Sequence, residues 1–171
     1  MEAAPIPDRL TKQEGRMAIP QSYRHTTVHW GKSQADMLRL LSKHGVKDVR
    51  FTTLESQKCV ICEFSYPTKM ENKDVVLGVR IMAKLPEMGR LADAERVKNQ
   101  VHRALLYYLK TKFEALQFGL VEFVQEFLPH LVLMDKDGRS STVYQQIGQQ
   151  VKRGYITGAQ GGLQLLEGPK P

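Results

Sequence analysis

Between Leu91 and Phe118 apolar residues recur at helical spacing, with no Pro or Gly to interrupt them. Ala94, Val97, Val101, Leu105, Tyr108 and Leu116 fall within about 80° of one side of a helix turning ~100° per residue, and Ala104 and Leu109 flank them. One long helix is predicted here, and the rest of the chain looks arranged around it. Lys112 falls inside the stripe, so it must snorkel or mark where the helix turns out of the core. Arg96, Arg103 and Lys110 are seven apart and stack on the opposite side, with Asn99 and Tyr107 beside them and Glu114 at the far end. Such a row could track a phosphate backbone, or it could be the solvated face any surface helix needs.

Upstream, the pattern changes period. Residues 1–22 hold Pro5, Pro7, Gly15 and Pro20 and follow neither helical nor strand spacing, so a disordered arm is expected. Thr26–Trp30 is a short strand candidate ended by Gly31. Ser33 is the expected cap of a helix running to His44, with Asp36 in the reciprocal capping position and Gly45 as the residue after the end. Period-2 alternation then gives three strands. Val49, Phe51 and Thr53 share one face of the first. Val60, Cys62, Phe64 and Tyr66 share one face of the second, and Val75, Leu77, Val79, Ile81 and Ala83 one face of the third. The short links Glu55–Lys58 and Pro67–Asp74 imply antiparallel pairing. The wetter face presents Arg50, Arg80 and Lys84, with Glu63 among them. The drier face needs a cover, which the long helix supplies after a turn at Pro86 and Gly89.

Downstream, Gly119 ends the long helix. Val121–Leu128 reads as a shorter helix, with Val121, Val124, Phe127 and Leu128 at helical spacing and Pro129 as its stop or kink. Leu131–Met134 is an apolar run, Asp135–Gly138 a turn, and Thr142–Gln150 weakly helical. The tail from Gly154 is rich in Gly and expected to be flexible. The whole amounts to one α+β domain over 23–153. It has a three- or four-stranded, mostly antiparallel sheet, covered on one face by the long helix, with short C-terminal helices.

Composition narrows the class. The chain has 171 residues, 42% of them hydrophobic, enough for one core without disulfide staples. No apolar run approaches the ~20 residues of a membrane span, and no secretory signal is visible at the start, so a cytoplasmic location is expected. The net charge is +7, and residues 119–171 contribute none of it, carrying five basic and five acidic side chains. That bias makes nucleic acid a plausible partner.

Candidate chemistry is sparse. Cys59 and Cys62 form a C-x-x-C, but on a strand they point to opposite faces. His25 and His29 could complete a zinc site only if a knuckle broke the strand, and no Gly or Pro flanks the pair. The Asp135–Gly138 stretch has the outline of half a calcium loop, yet Leu133 and Tyr144 stand where ligands are required. The helix–strand–strand–strand–helix order resembles metal-dependent nucleases. Their acidic-x-Lys is missing, because Met82-Ala83-Lys84 has no carboxylate. His102 and His130 have no partner that spacing assigns and are expected to be capped or exposed. Trp30 reads as a core or edge anchor. No metal, cofactor or catalytic residue is expected.

Arg103–Ile147 (RALLYYLKTKFEALQFGLVEFVQEFLPHLVLMDKDGRSSTVYQQI) resembles a widespread set of small, uncharacterised phage and prophage proteins. Arg103, Ala104, Leu105 and Leu106 match the first element of their pattern. Lys110, Lys112, Glu114 and Ala115 match the second. Glu126, Phe127, Leu128, Val132, Leu133, Asp137, Gly138, Thr142 and Val143 match the rest. The turn is longer than the usual form, with Met134 and Asp135 where a single Pro is expected. The resemblance spans about residues 26–158 and implies a phage or prophage origin and a role inside a bacterial host. It carries over no catalytic residues.

Three function classes follow. The first is a nucleic-acid-binding accessory that reads single-stranded DNA or RNA without sequence preference through Arg50, Arg80 and Lys84, with the Arg96, Arg103 and Lys110 row in support. The second is a protein–protein module that modulates a host or phage enzyme or assembles with itself. The third, an enzyme, has the least support.

Overall fold

A computed structural model describes residues 21–86 and 91–152. The expected arm, apart from Gln21 and Ser22, lies outside these residues, as do most of the turn at Pro86–Gly89 and the tail from Gly154. Ten elements follow in order: α1 (Trp30–Lys43), β1 (Val49–Leu54), β2 (Cys59–Met70), β3 (Lys73–Lys84), α2 (Leu91–Gln117), α3 (Phe123–Phe127), the 3₁₀ turn Leu128–His130, β4 (Val132–Met134), β5 (Ser140–Thr142) and α4 (Val143–Lys152). The fold is α+β.

The start of the chain differs from the alternation pattern. Thr26–Trp30 forms no strand; Trp30 is the first residue of α1. The cap is His29, whose Nδ1 accepts from the Gly31 N–H at 3.1 Å. Ser33 lies inside the helix and is buried, and Asp36 pairs with Arg39 and Arg103 instead of closing a capping box. Tertiary contact moved the start back a turn: the Trp30 N–H donates to Asn99 Oδ1 of α2 at 2.7 Å, and the indole rests 5.8 Å from the His102 ring. Both expected terminating glycines act as expected. At Gly45 (φ 81°) and Gly119 (φ 66°) the next residue's N–H reaches back, from Val46 to Leu41 and from Leu120 to Ala115.

β1, β2 and β3 form an antiparallel sheet in sequence order. The β2–β3 hairpin is longer than the sequence implies. Pairing continues to Met70 and Lys73, so the connection is only Glu71 and Asn72, both at positive φ as a type I′ turn requires. Pro67 is tolerated within β2 because β1 pairs only as far as Phe64 and leaves no partner there for the missing N–H. On the drier face Cys62, Phe64, Val79 and Ile81 are buried against Leu105, Leu109 and Phe113 of α2. Cys59 and Ile61, on the other side of β2, are buried as well, so that half of the central strand is apolar on both faces.

α2 buries a wider arc than its stripe. Tyr108 is 41% exposed, while His102, Leu106 and Phe113 are buried. The reason is that α2 packs on two sides, against the sheet and against α1. His102 is thus neither capped nor exposed: its Nδ1 lies 2.7 Å from the Lys98 carbonyl and its Nε2 3.1 Å from Gln34 Nε2 of α1. Lys112 turns inward and donates to Glu126 Oε1 at 2.6 Å, tying α3 to α2. In α3 the buried positions are Phe123 and Phe127, and Leu128 is exposed. Tyr66 stacks on Phe123 at 3.6 Å, which closes that end of the core.

The apolar run at Leu131 becomes part of a small hairpin, β4 with β5. Leu131 bridges Val79, so this hairpin hangs from the free edge of β3. Its turn is held by Asp135 Oδ1, which accepts from the N–H groups of Asp137 and Arg139. Thr142 then caps α4 reciprocally with Gln145: the Thr142 N–H donates to the Gln145 side chain at 2.8 Å, and the Gln145 N–H to the Thr142 hydroxyl at 3.2 Å.

Candidate nucleic-acid interface

The antiparallel register places Arg50, Glu63 and Arg80 directly opposite one another across all three strands. Arg50 Nε donates to one carboxylate oxygen of Glu63 at 2.8 Å, and Arg80 Nε to the other at 2.7 Å. Arg80 also donates to the Ser140 hydroxyl at 2.9 Å, which fixes its guanidinium between the sheet and the small hairpin. Burial pushes the Glu63 carboxyl up, but the hydrogen bonds and charges of the two arginines outweigh it and hold the group below the usual carboxylate range. Two cations sharing one carboxylate leave this ladder with a net positive charge.

Around the ladder the sheet face opens into two clefts that share Arg80. The first has a volume of about 560 Å³. Ser65 and Gly78 lie in it, Lys47 and Arg50 line one side, and Val132 lines the other. A Cβ at Gly78 would make ordinary contact with Val132 Cβ, 3.5 Å away. The second, about 380 Å³, lies between the end of β3 and the start of α4 and includes Lys84, His130 and Tyr144. Lys47 and Lys84 are exposed and make no ion pair with the described residues. The first cleft carries three cations against two carboxylates, Asp48 and Glu63. The second carries two cations and no carboxylate among the described residues.

No family model matches the chain, and comparison with curated proteins and with solved structures returned no match. Function therefore has to be inferred from the chemistry of this face.

The six cations singled out in the sequence divide into two groups. Arg50, Arg80 and Lys84 come together on the open sheet face. Arg96, Arg103 and Lys110 stand on the side of α2 turned away from the sheet, so the two groups do not share one surface. The α2 row is also engaged locally. Arg96 pairs with Asp93 at 2.8 Å, Arg103 with Asp36 at 3.8 Å, and Lys110 with Glu114 at 3.7 Å. Arg103 further donates to the Tyr107 hydroxyl at 3.0 Å, and Tyr107 stacks on Tyr23. Arg96 and Lys110 thus pair within α2, while Arg103, half-buried, pairs across to α1.

The sequence signalled neither Lys47, Tyr144 nor His130 as part of the face: Lys47 lies just ahead of β1, and docking of the small hairpin brings Tyr144 and His130 there. His130 has a partner that spacing could not assign: its Nε2 lies 2.7 Å from the Tyr108 hydroxyl. Burial and the nearby Lys112 ammonium lower its pKa, which keeps the ring neutral at physiological pH. Cys59 and Cys62 are free, buried and on opposite faces of β2. Burial, aided by the Glu63 charge, pushes the Cys62 thiol up to about 12, so it is not a nucleophile. No three His, Cys, Asp or Glu side chains among the described residues come together as metal ligands would. No described helix is long and apolar enough to cross a membrane.

Proposed function

We propose that this chain is a phage-type accessory protein that binds single-stranded nucleic acid without sequence preference, through the open face of its sheet. The observation that carries the proposal is the pair of clefts joined at Arg80, lined by Lys47, Arg50, Arg80 and Lys84. A flexible polyanion can follow that band, and the ladder at Glu63 pre-positions two guanidinium groups for it. Affinity would come from phosphates and stacking. The bacterial cytoplasm is the compartment such a role implies.

The test is fluorescence anisotropy with labelled single- and double-stranded oligonucleotides at low and at physiological salt. Four engaged cations give a log–log salt slope of about −3, from roughly −0.7 per neutralised phosphate. Lys47→Glu and Lys84→Glu weaken binding. Arg96→Glu and Lys110→Glu, on the far side of α2, leave it unchanged. Absence of binding at low salt, or equal sensitivity to both pairs of variants, would sink the proposal.

One observation favours a protein partner instead. Leu133, Met134, Tyr144 and Ile147 on β4 and α4 are between 41% and 74% exposed. An interaction module would bind through these side chains with little dependence on salt.

A further inference from the structure

We infer that the cleft between β3 and α4 seats a single nucleotide of the bound strand, its base against Tyr144 and its phosphate between Lys84 and Arg80. This rests on the proposed function and gives it a location and a stoichiometry. The volume, about 380 Å³, suits a small ligand and is in the range of such pockets. Lys84 and Arg80 come from β3, and Tyr144 from the first turn of α4. Met82 and Pro129 supply apolar lining.

The chemistry of the two halves differs as a nucleotide's does. Arg80 is fixed by Glu63 and Ser140, so its charge is set in place before any ligand arrives. Lys84 is an exposed ammonium on a flexible stem, able to follow a phosphate. No carboxylate of the described residues lines the cleft to repel that phosphate, in contrast to the neighbouring cleft with Asp48 and Glu63. On the other half, Tyr144 is 68% exposed, so among the described residues the face of its ring is open to a ligand. Its backbone is held by the Thr142–Gln145 capping pair beside it, so the ring stands on a fixed base. His130 adds a neutral polar edge, its Nε2 occupied by Tyr108. An aromatic face with thioether and proline neighbours accepts any base, which agrees with binding that ignores sequence.

The experiment compares two labelled strands of equal length, oligothymidylate and a fully abasic strand with the same phosphates. The full chain is titrated as wild type, Tyr144→Leu, Tyr144→Phe and Lys84→Gln. Tyr144 is exposed, so Tyr144→Leu keeps the fold, which circular dichroism checks. The inference expects Tyr144→Leu to weaken oligothymidylate binding about tenfold and to leave the abasic strand unaffected. Tyr144→Phe retains wild-type affinity, and Lys84→Gln weakens both strands alike. If Tyr144→Leu binds both strands like wild type, or weakens both equally, the nucleotide seat is wrong while the binding function stands. If the wild type binds neither strand at low salt, both conclusions fall.

Discussion

Ser33 shows what a single side chain can cost. It is fully buried in α1, and its hydroxyl has no hydrogen-bond partner. A buried hydroxyl without a partner opposes folding, so Ser33→Ala should raise stability by about 1 kcal/mol, read as a higher urea midpoint at unchanged slope. A lower midpoint would mean that the hydroxyl is satisfied in solution. Glu63 lies at the other extreme, because one carboxylate engages two guanidinium groups from neighbouring strands. The sequence placed Arg50, Glu63 and Arg80 on one face, since period-2 alternation does so by itself. It gave no sign that they stand in one row, because that depends on which residues the hairpins set opposite each other. The burial of His102 is hidden from the sequence for a related reason. Its neighbours in sequence do not reveal that Gln34 of α1 lies above it.

At the level of elements, long periodic segments were legible and short ones were not. α2 and the three strands follow from apolar spacing, which reports the face that meets the core. The boundaries shifted wherever contact from another element supplied the missing partners. α1 begins at Trp30 because Asn99 accepts its N–H, and α2 turns its burial toward α1 because it has two neighbours to pack against. The β2–β3 hairpin looks like a long link in the sequence because Glu-Asn is a poor signal for a two-residue turn. Glu71 sits at φ 49° and Asn72 at φ 64°. Left-handed backbone costs a residue with a Cβ about 1–2 kcal/mol, so Glu71→Gly should stabilise the protein by about 1 kcal/mol in thermal unfolding. Loss of stability would show that entropy gained by the unfolded chain outweighs the strain relieved.

For the whole molecule, the shifted histidines and Glu63 act in one direction. Burial lowers the pKa of His44, His102 and His130, with the charges of Lys43, Lys98 and Lys112 respectively assisting. A histidine lowered on folding contributes stability that is present above its ordinary value of ~6.5 and lost as pH falls through the folded value. Glu63, also held low, contributes stability present above ~4.3 and lost as pH falls further. Unfolding free energy should therefore rise from acid toward neutrality in two stages. His102→Gln should flatten the upper stage and Glu63→Gln the lower, as read by urea denaturation across the pH range. A curve without an upper stage would show that the histidines are protonated equally in both states.

The sequence by itself determined the α+β class, the antiparallel order of the strands, the glycine stops at Gly45 and Gly119 and the sheet face that carries Arg50, Arg80 and Lys84. Those features depend on local periodicity and on backbone conformations that only some residues adopt, and both are written along the chain. Tertiary structure decided which cations share a surface. It engaged the Arg96, Arg103 and Lys110 row of α2 with carboxylates of α2 and α1, away from the open sheet face, and hung the β4–β5 hairpin on the edge of β3. That docking brought Tyr144 and His130 to Lys84. Proximity between residues sixty positions apart is fixed by packing against a common core, which no spacing along the chain records.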